Sequence, residues 1–177
     1  LSFELSTKQY RMVVNCGLPA TSRESWRQVA RATAAHSTAT LNDTSSCRFI
    51  ESAAVKRMLS GTPMVGGPRE VAVSREEQGG GVLLRTSHNG YADVFNVMHQ
   101  RTLMLAPDGL RLDGEDVFTP ARGDTVPAGR DQFAVRFHLH PSVKANRLAD
   151  GHGPMLMKPS KEAWIFNAYE DRVDIEE

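Results

Sequence analysis

Apolar and polar residues alternate with a period of two through most of this 177-residue chain. On a strand, successive side chains point to opposite faces, so this alternation marks sheets with one buried side. It predicts strands over residues 46–50, 70–74, 81–87, 101–105, 109–114, 132–140, 163–168 and 171–175. The first residues, LSFELS, alternate in the same way, as do the last, DRVDIEE.

Turn residues fall between these segments. They are Gly66-Gly67-Pro68, Gly79-Gly80-Gly81, Asn89-Gly90, Pro107-Asp108-Gly109 and Gly151-His152-Gly153. The clearest hairpin is LMLAPDGLRLDG, where Pro107-Asp108-Gly109 supplies the reversal. Short strands punctuated this way predict an all-β fold, an antiparallel β-sandwich. A period near 3.6 is weak. Residues 22–35 can hold a short helix with Ser22 as N-cap and Ser25, Trp26 and Val29 on one side. A second short helix fits 51–59. With no repeat and no linker, residues 1–177 read as a single domain. The strand-like ends suggest a fragment truncated at both ends of a longer structure.

Composition narrows the function classes. Twenty-one Lys and Arg balance 21 Asp and Glu, so no global field draws the chain to nucleic acid or an anionic surface. No apolar run approaches the ~20 residues of a transmembrane helix. Cys16 and Cys47 form neither a disulfide framework nor a CxxC pair.

Three stretches carry candidate chemistry. In FAVRFHLHP, one continuous strand would put Phe133, Val135, Phe137 and Leu139 on a core face and Arg136, His138 and His140 on the other. That row could line a groove for a carboxylated sugar, or His138 and His140 could chelate a metal. It could equally be a solvated sheet face. The metal-binding jelly rolls called cupins follow His-x-His with a nearby glutamate, and HLHPSVKAN supplies none. His36 lies among small residues in RATAAHSTATLND. It is either a metal ligand with its second nitrogen fixed by a hydrogen bond, or an imidazole bonded to nearby backbone. In SHNGYADVF, His88 and Tyr91 flank Asn-Gly, an acid–base pair or a turn beside a strand aromatic.

With these residues in view, the chain resembles the C-terminal β-sandwich region of the heparinase II/III family of polysaccharide lyases. The most specific stretch is WRQVARATAAHSTATLND, which resembles the family's WRxxxRSTxAHNTVxVDG. LSFELSTKQYRMVVNCG, SHNGYADVFNVMHQRTLML, LDGEDVF and FAVRFHLHPSV follow the family order over nearly the whole length.

The resemblance implies a supersandwich-type β-fold and an N-terminal α/α toroid as partner domain. It implies a full-length protein that cleaves acidic, uronic-acid-containing polysaccharides by β-elimination, with most catalytic groups upstream of Leu1. It thus implies a fragment that is inactive alone and needs no cofactor, while the balanced charge and the lack of a nucleic-acid motif predict no nucleic-acid partner. It also implies a possible structural divalent metal, zinc or calcium, in the full-length protein. His36 matches a histidine ligand of that site, and Asn15 stands where an aspartate is expected. A periplasmic or secreted setting follows from the resemblance, with a cytoplasmic one left open. The rivals are a non-catalytic carbohydrate-binding or scaffold sandwich, and a metal-dependent sandwich enzyme using His138 and His140.

Overall fold

The computed structural model describes residues 1–17, 23–59, 62–123, 132–148, 153–169 and 172–176. The fold is all-β and antiparallel, as the alternation predicts. Its backbone is a four-stranded meander of β6 (Val71–Gln78), β7 (Gly81–Tyr91), β8 (Val97–Leu105) and β9 (Leu112–Pro120). Against its inner face lie β3 (Ala39–Leu41) paired with β10 (Phe133–Val135). Beside them, β2 (Tyr10–Val14) pairs with β1 (Leu5–Thr7) and with β11 (His138–Leu139). The C-terminal sheet holds β12 (Lys144–Arg147), β13 (Pro154–Met157) and β14 (Ala163–Ile165).

A small module interrupts the sandwich between β2 and β6. It contains α1 (Glu24–Arg31), a 3-10 turn (Thr33–Ala35), β4 (Arg48–Phe49), α2 (Ala53–Met58) and β5 (Met64–Gly66). A last short helix, α3 (Ala92–Phe95), joins β7 to β8. Asn96 ends it in a left-handed conformation (φ 55°), its amide bonding both ways to the Arg122 backbone.

Two hairpins follow from local chemistry. Gly79 and Gly80 both take positive φ between Gln78 and its partner Gly81, the two-residue turn that suits the strand twist. The Pro107-Asp108-Gly109 reversal closes β8 onto β9, with Gly109 at φ 68° and Leu105 opposite Leu112.

The apolar core is small. Leu41, Tyr91 and Val97 form its centre, with Phe95 and Phe118 packed against them. Among the described residues, as many polar as apolar residues are buried, eight of each. Hydrogen bonding therefore decides much of how this interior is held.

Several expectations change in the structure. Residues 132–140 are two short strands, because the chain switches partner at Arg136–Phe137. Val135 pairs with Ala39 and the Arg136 N–H still bonds to Thr38 O, but His138 pairs with Val14. Phe133 and Phe137 are consequently exposed instead of forming a core face, although Phe137 meets Phe3 and Phe166 edge-on. Asn89-Gly90 is no hairpin turn. It lies in a bulge of β7, where the register shifts between His88 and Tyr91. The helix of 22–35 shortens to α1 plus the 3-10 turn, and Ser22 lies outside the described residues. So do Gly151 and His152 of the glycine turn. Residues 172–176 form no strand.

Candidate functional site

The strand β8 turns Val97, His99 and Arg101 inward, one every second residue. The β8–β9 register sets Arg101 directly opposite Asp116 and His99 opposite Phe118. Arg101 grips Asp116 with two prongs. Its Nε donates to Oδ1 and its Nη2 to Oδ2, each at 2.8 Å. His99 donates from Nε2 to the same Oδ1 at 2.6 Å and stacks on the Phe118 ring. Its Nδ1 is buried without a hydrogen-bond partner. His88 closes the group, its ring 5.2 Å from that of His99 and edge-on to it.

His99 and Arg101 are sealed from water, 0 % and 3 % exposed, while the Asp116 side chain keeps 11 % exposure. Burial alone would raise the Asp116 carboxyl. The hydrogen bonds from His99 and Arg101, with the Arg101 charge, outweigh burial and hold it below the ordinary carboxylate range. Burial, reinforced by neighbouring His99, pushes the His88 imidazole down to about 4. Burial pushes the Tyr91 phenol up to about 12, and its hydroxyl donates to the carbonyls of Ala39 and Thr44. Buried this way, the cluster cannot touch a polymer substrate.

Its outer contact explains its job. Arg101 Nη1 donates to Ser37 O at 2.9 Å. Ser37, fully buried, spends every other polar atom as well. Its N–H donates to Asn15 Oδ1, its hydroxyl donates to Val14 O, and the same hydroxyl accepts from the His138 N–H. One serine thus ties β2, β11 and the meander together.

Three of the residues singled out in the sequence gather around this serine. Asn15 reaches it directly, and its Nδ2 donates to Phe3 O. His36 precedes it, with Nε2–H donating to Ala30 O at 3.0 Å. His138 donates from Nε2 to Ala34 O at 2.8 Å. The other two lie apart. Arg136 bonds to Thr40 Oγ1 and Asp43, and His140 bonds to Ser142. Because the strand breaks, Arg136, His138 and His140 share no common partner and form no continuous row.

A metal would find little here. A carbonyl only accepts, so the His36 Nε2 carries a proton and only Nδ1 keeps a lone pair. The Asn15 amide already bridges two backbone groups. No group of three or more His, Cys, Asp or Glu among the described residues could hold an ion.

Sequence reasoning passed over Arg101, Asp116 and His99, although a signal existed. Counting back from the Pro107–Gly109 hairpin puts Arg101 across from Asp116, and the alternation puts both on the apolar face.

Comparison with known proteins places the fold and the serine clasp in context. The chain is 30 % identical over 179 residues to FtsZ-localized protein C of Caulobacter vibrioides (strain NA1000 / CB15N), covering 99 % of this chain and 30 % of that protein. The chain therefore spans less than a third of the length of this relative. No solved structure matches it. The family model described as "Heparinase II/III-like, C-terminal" matches residues 1–177, the whole chain. The chain belongs to the heparinase II/III-like family, as its C-terminal domain.

Proposed function

We propose that this domain is the structural β-sandwich of a polysaccharide lyase, and that the full-length protein cleaves uronic-acid-containing chains by β-elimination. A base takes the C5 proton, electron density moves to the adjacent carboxyl group, and the C4–O bond breaks as an acid protonates the leaving oxygen. The observation that carries the division of labour is internal saturation. His99 and Arg101 are buried and spent on Asp116, and His36, His138 and Asn15 are spent on backbone. The acid and base then belong to the rest of the protein, an N-terminal toroid by family resemblance. This domain supplies a rigid wall, with Arg136 and His140 as separate groove candidates, because His138 is held on Ala34 O. A structural zinc in the full-length protein would take His36 Nδ1 as its ligand from this domain, whereas calcium, which takes oxygen ligands, would not.

The relative's name favours a second reading, a scaffold that localises with FtsZ. Incubating the full-length protein with heparin, chondroitin, hyaluronan and alginate separates the two. Absorbance from new unsaturated uronate ends supports the lyase. A flat trace on all four, with fluorescently tagged protein co-localising with FtsZ, supports the scaffold and overturns the lyase.

A further inference from the structure

The helix α1 is inside out. A surface helix normally turns its apolar stripe to the core and its polar stripe to water. Here the polar side makes the contacts to the rest of the protein, although Glu24 and Arg31 themselves stay exposed. The Thr62 hydroxyl donates to Glu24 at 2.5 Å, Arg31 donates to Thr62 O at 3.1 Å, and the Arg31 guanidinium lies 5.2 Å over the Phe49 ring. Trp26 and Val29, three residues apart on the other side, are 66 % and 58 % exposed. The same module exposes Met58 and Leu59 at the end of α2, and Met64 and Val65 on β5, each by more than half. Large apolar groups left exposed on one small module mark surfaces that something covers.

Charge and chain path point to the occupant. From residue 23 to 59, six cationic residues (Arg23, Arg27, Arg31, Arg48, Lys56, Arg57) outnumber three acidic ones (Glu24, Asp43, Glu51), in a chain that is balanced overall. Arg23, Arg48, Lys56 and Arg57 enter no salt bridge among the described residues. In the Caulobacter relative the aligned region is 30 % of the protein, and the matched family region is a C-terminal one, so most of such a protein precedes it. That polypeptide would arrive at Leu1, whose carbonyl accepts from Arg101 Nη1. The same Nη1 holds Ser37, and neighbouring His36 holds Ala30 in α1. The entry point is thus tied to the module by three hydrogen bonds.

We propose that the Trp26–Val29 face of α1, with the exposed ends of α2 and β5, seats the N-terminal domain of the same polypeptide, which presents an apolar surface rimmed by carboxylates. The inference rests on family membership and not on lyase activity, which uronate absorbance on the same preparation reports separately.

Hydroxyl-radical footprinting of the full-length protein tests it. Corrected for intrinsic reactivity, Trp26, Met58 and Met64 are expected to oxidise several-fold more slowly than fully exposed Tyr169. A zero-length carbodiimide is expected to join Lys56 to an Asp or Glu of the N-terminal domain in the same chain. Replacing Trp26→Ser together with Val29→Ser removes only exposed side chains, so the domain keeps its fold, and Met64 oxidation should rise several-fold. Oxidation of all three side chains at the rate of Tyr169 would overturn the proposal. So would protection that needs added anionic phospholipid vesicles, Lys56 cross-links only between two copies, or no change in Met64 on the double substitution.

Discussion

Replacing Asp116→Asn should do more damage than any surface change in this domain. The substitution removes the counter-charge of Arg101 but keeps the side-chain shape. Arg101 is 3 % exposed and gives both Nε and Nη2 to the carboxylate, while His99 gives it a third hydrogen bond. Removing one partner of such a buried pair costs about 3–5 kcal/mol, because the remaining charge is left uncompensated. That is a large share of the roughly 5–15 kcal/mol that holds a typical domain together. At about 2–4 °C per kcal/mol for a chain this long, the melting temperature should fall by roughly 6–20 °C.

Thermal and urea unfolding followed by circular dichroism read this directly. Hydrogen exchange should show residues 33–38 losing protection first, since Arg101 is their link to the meander. The control is Arg111→Ala, which removes an exposed bridge to Asp113 and should leave the unfolding transition essentially unmoved. A double-mutant cycle with Arg101→Met should give a coupling of about 2 kcal/mol or more, with the double variant less destabilised than the sum of the singles. If Asp116→Asn unfolds within about 1 kcal/mol of the natural protein, the buried pair is no strut and the reasoning fails.

Three further perturbations check other parts of the structure. His88 stays neutral in the fold down to about pH 4, whereas an unfolded imidazole takes up a proton near its ordinary value of 6.5, so stability should be lost as pH falls between these values. The loss is roughly 3 kcal/mol by pH 4, and urea titrations of His88→Gln should lack that component. Gly153→Ala should destabilise well beyond Gly123→Ala in chemical denaturation: both have positive φ, but a Cβ at Gly153 would lie 2.2 Å from Phe166 O, whereas one at Gly123 meets nothing within 4 Å. Asn15→Asp keeps an acceptor for Ser37 N–H but loses the donor to Phe3 O, and should cost about 1 kcal/mol by the same assay.

Much of the sheet was legible in the one-dimensional pattern, because period-two alternation and turn glycines are local properties. The β6–β7 and β8–β9 hairpins follow from Gly79-Gly80 and Pro107-Asp108-Gly109 alone. Where a strand changes partner, alternation is silent: residues 132–140 look continuous, yet the chain leaves β3 for β2 at Arg136–Phe137. Asn89-Gly90 shows the opposite error, where turn chemistry serves a bulge. The site was half visible. Asn15, His36 and His138 were singled out and do converge, but on Ser37 instead of on one another. Arg101 and His99 escaped notice because a charged or polar residue in an alternating strand is read as solvent-facing. Only the register across β8 and β9 shows that Asp116 waits opposite to satisfy them.

The central claim is that this domain holds shape while the rest of the protein does the chemistry. Absorbance of unsaturated uronates tests it with two samples, the full-length protein and residues 1–177 alone, on the same uronate polysaccharides. The account predicts steady product formation by the full-length protein and none by the domain. Product from residues 1–177 alone, or none from the full-length protein on any uronate polymer, would contradict it.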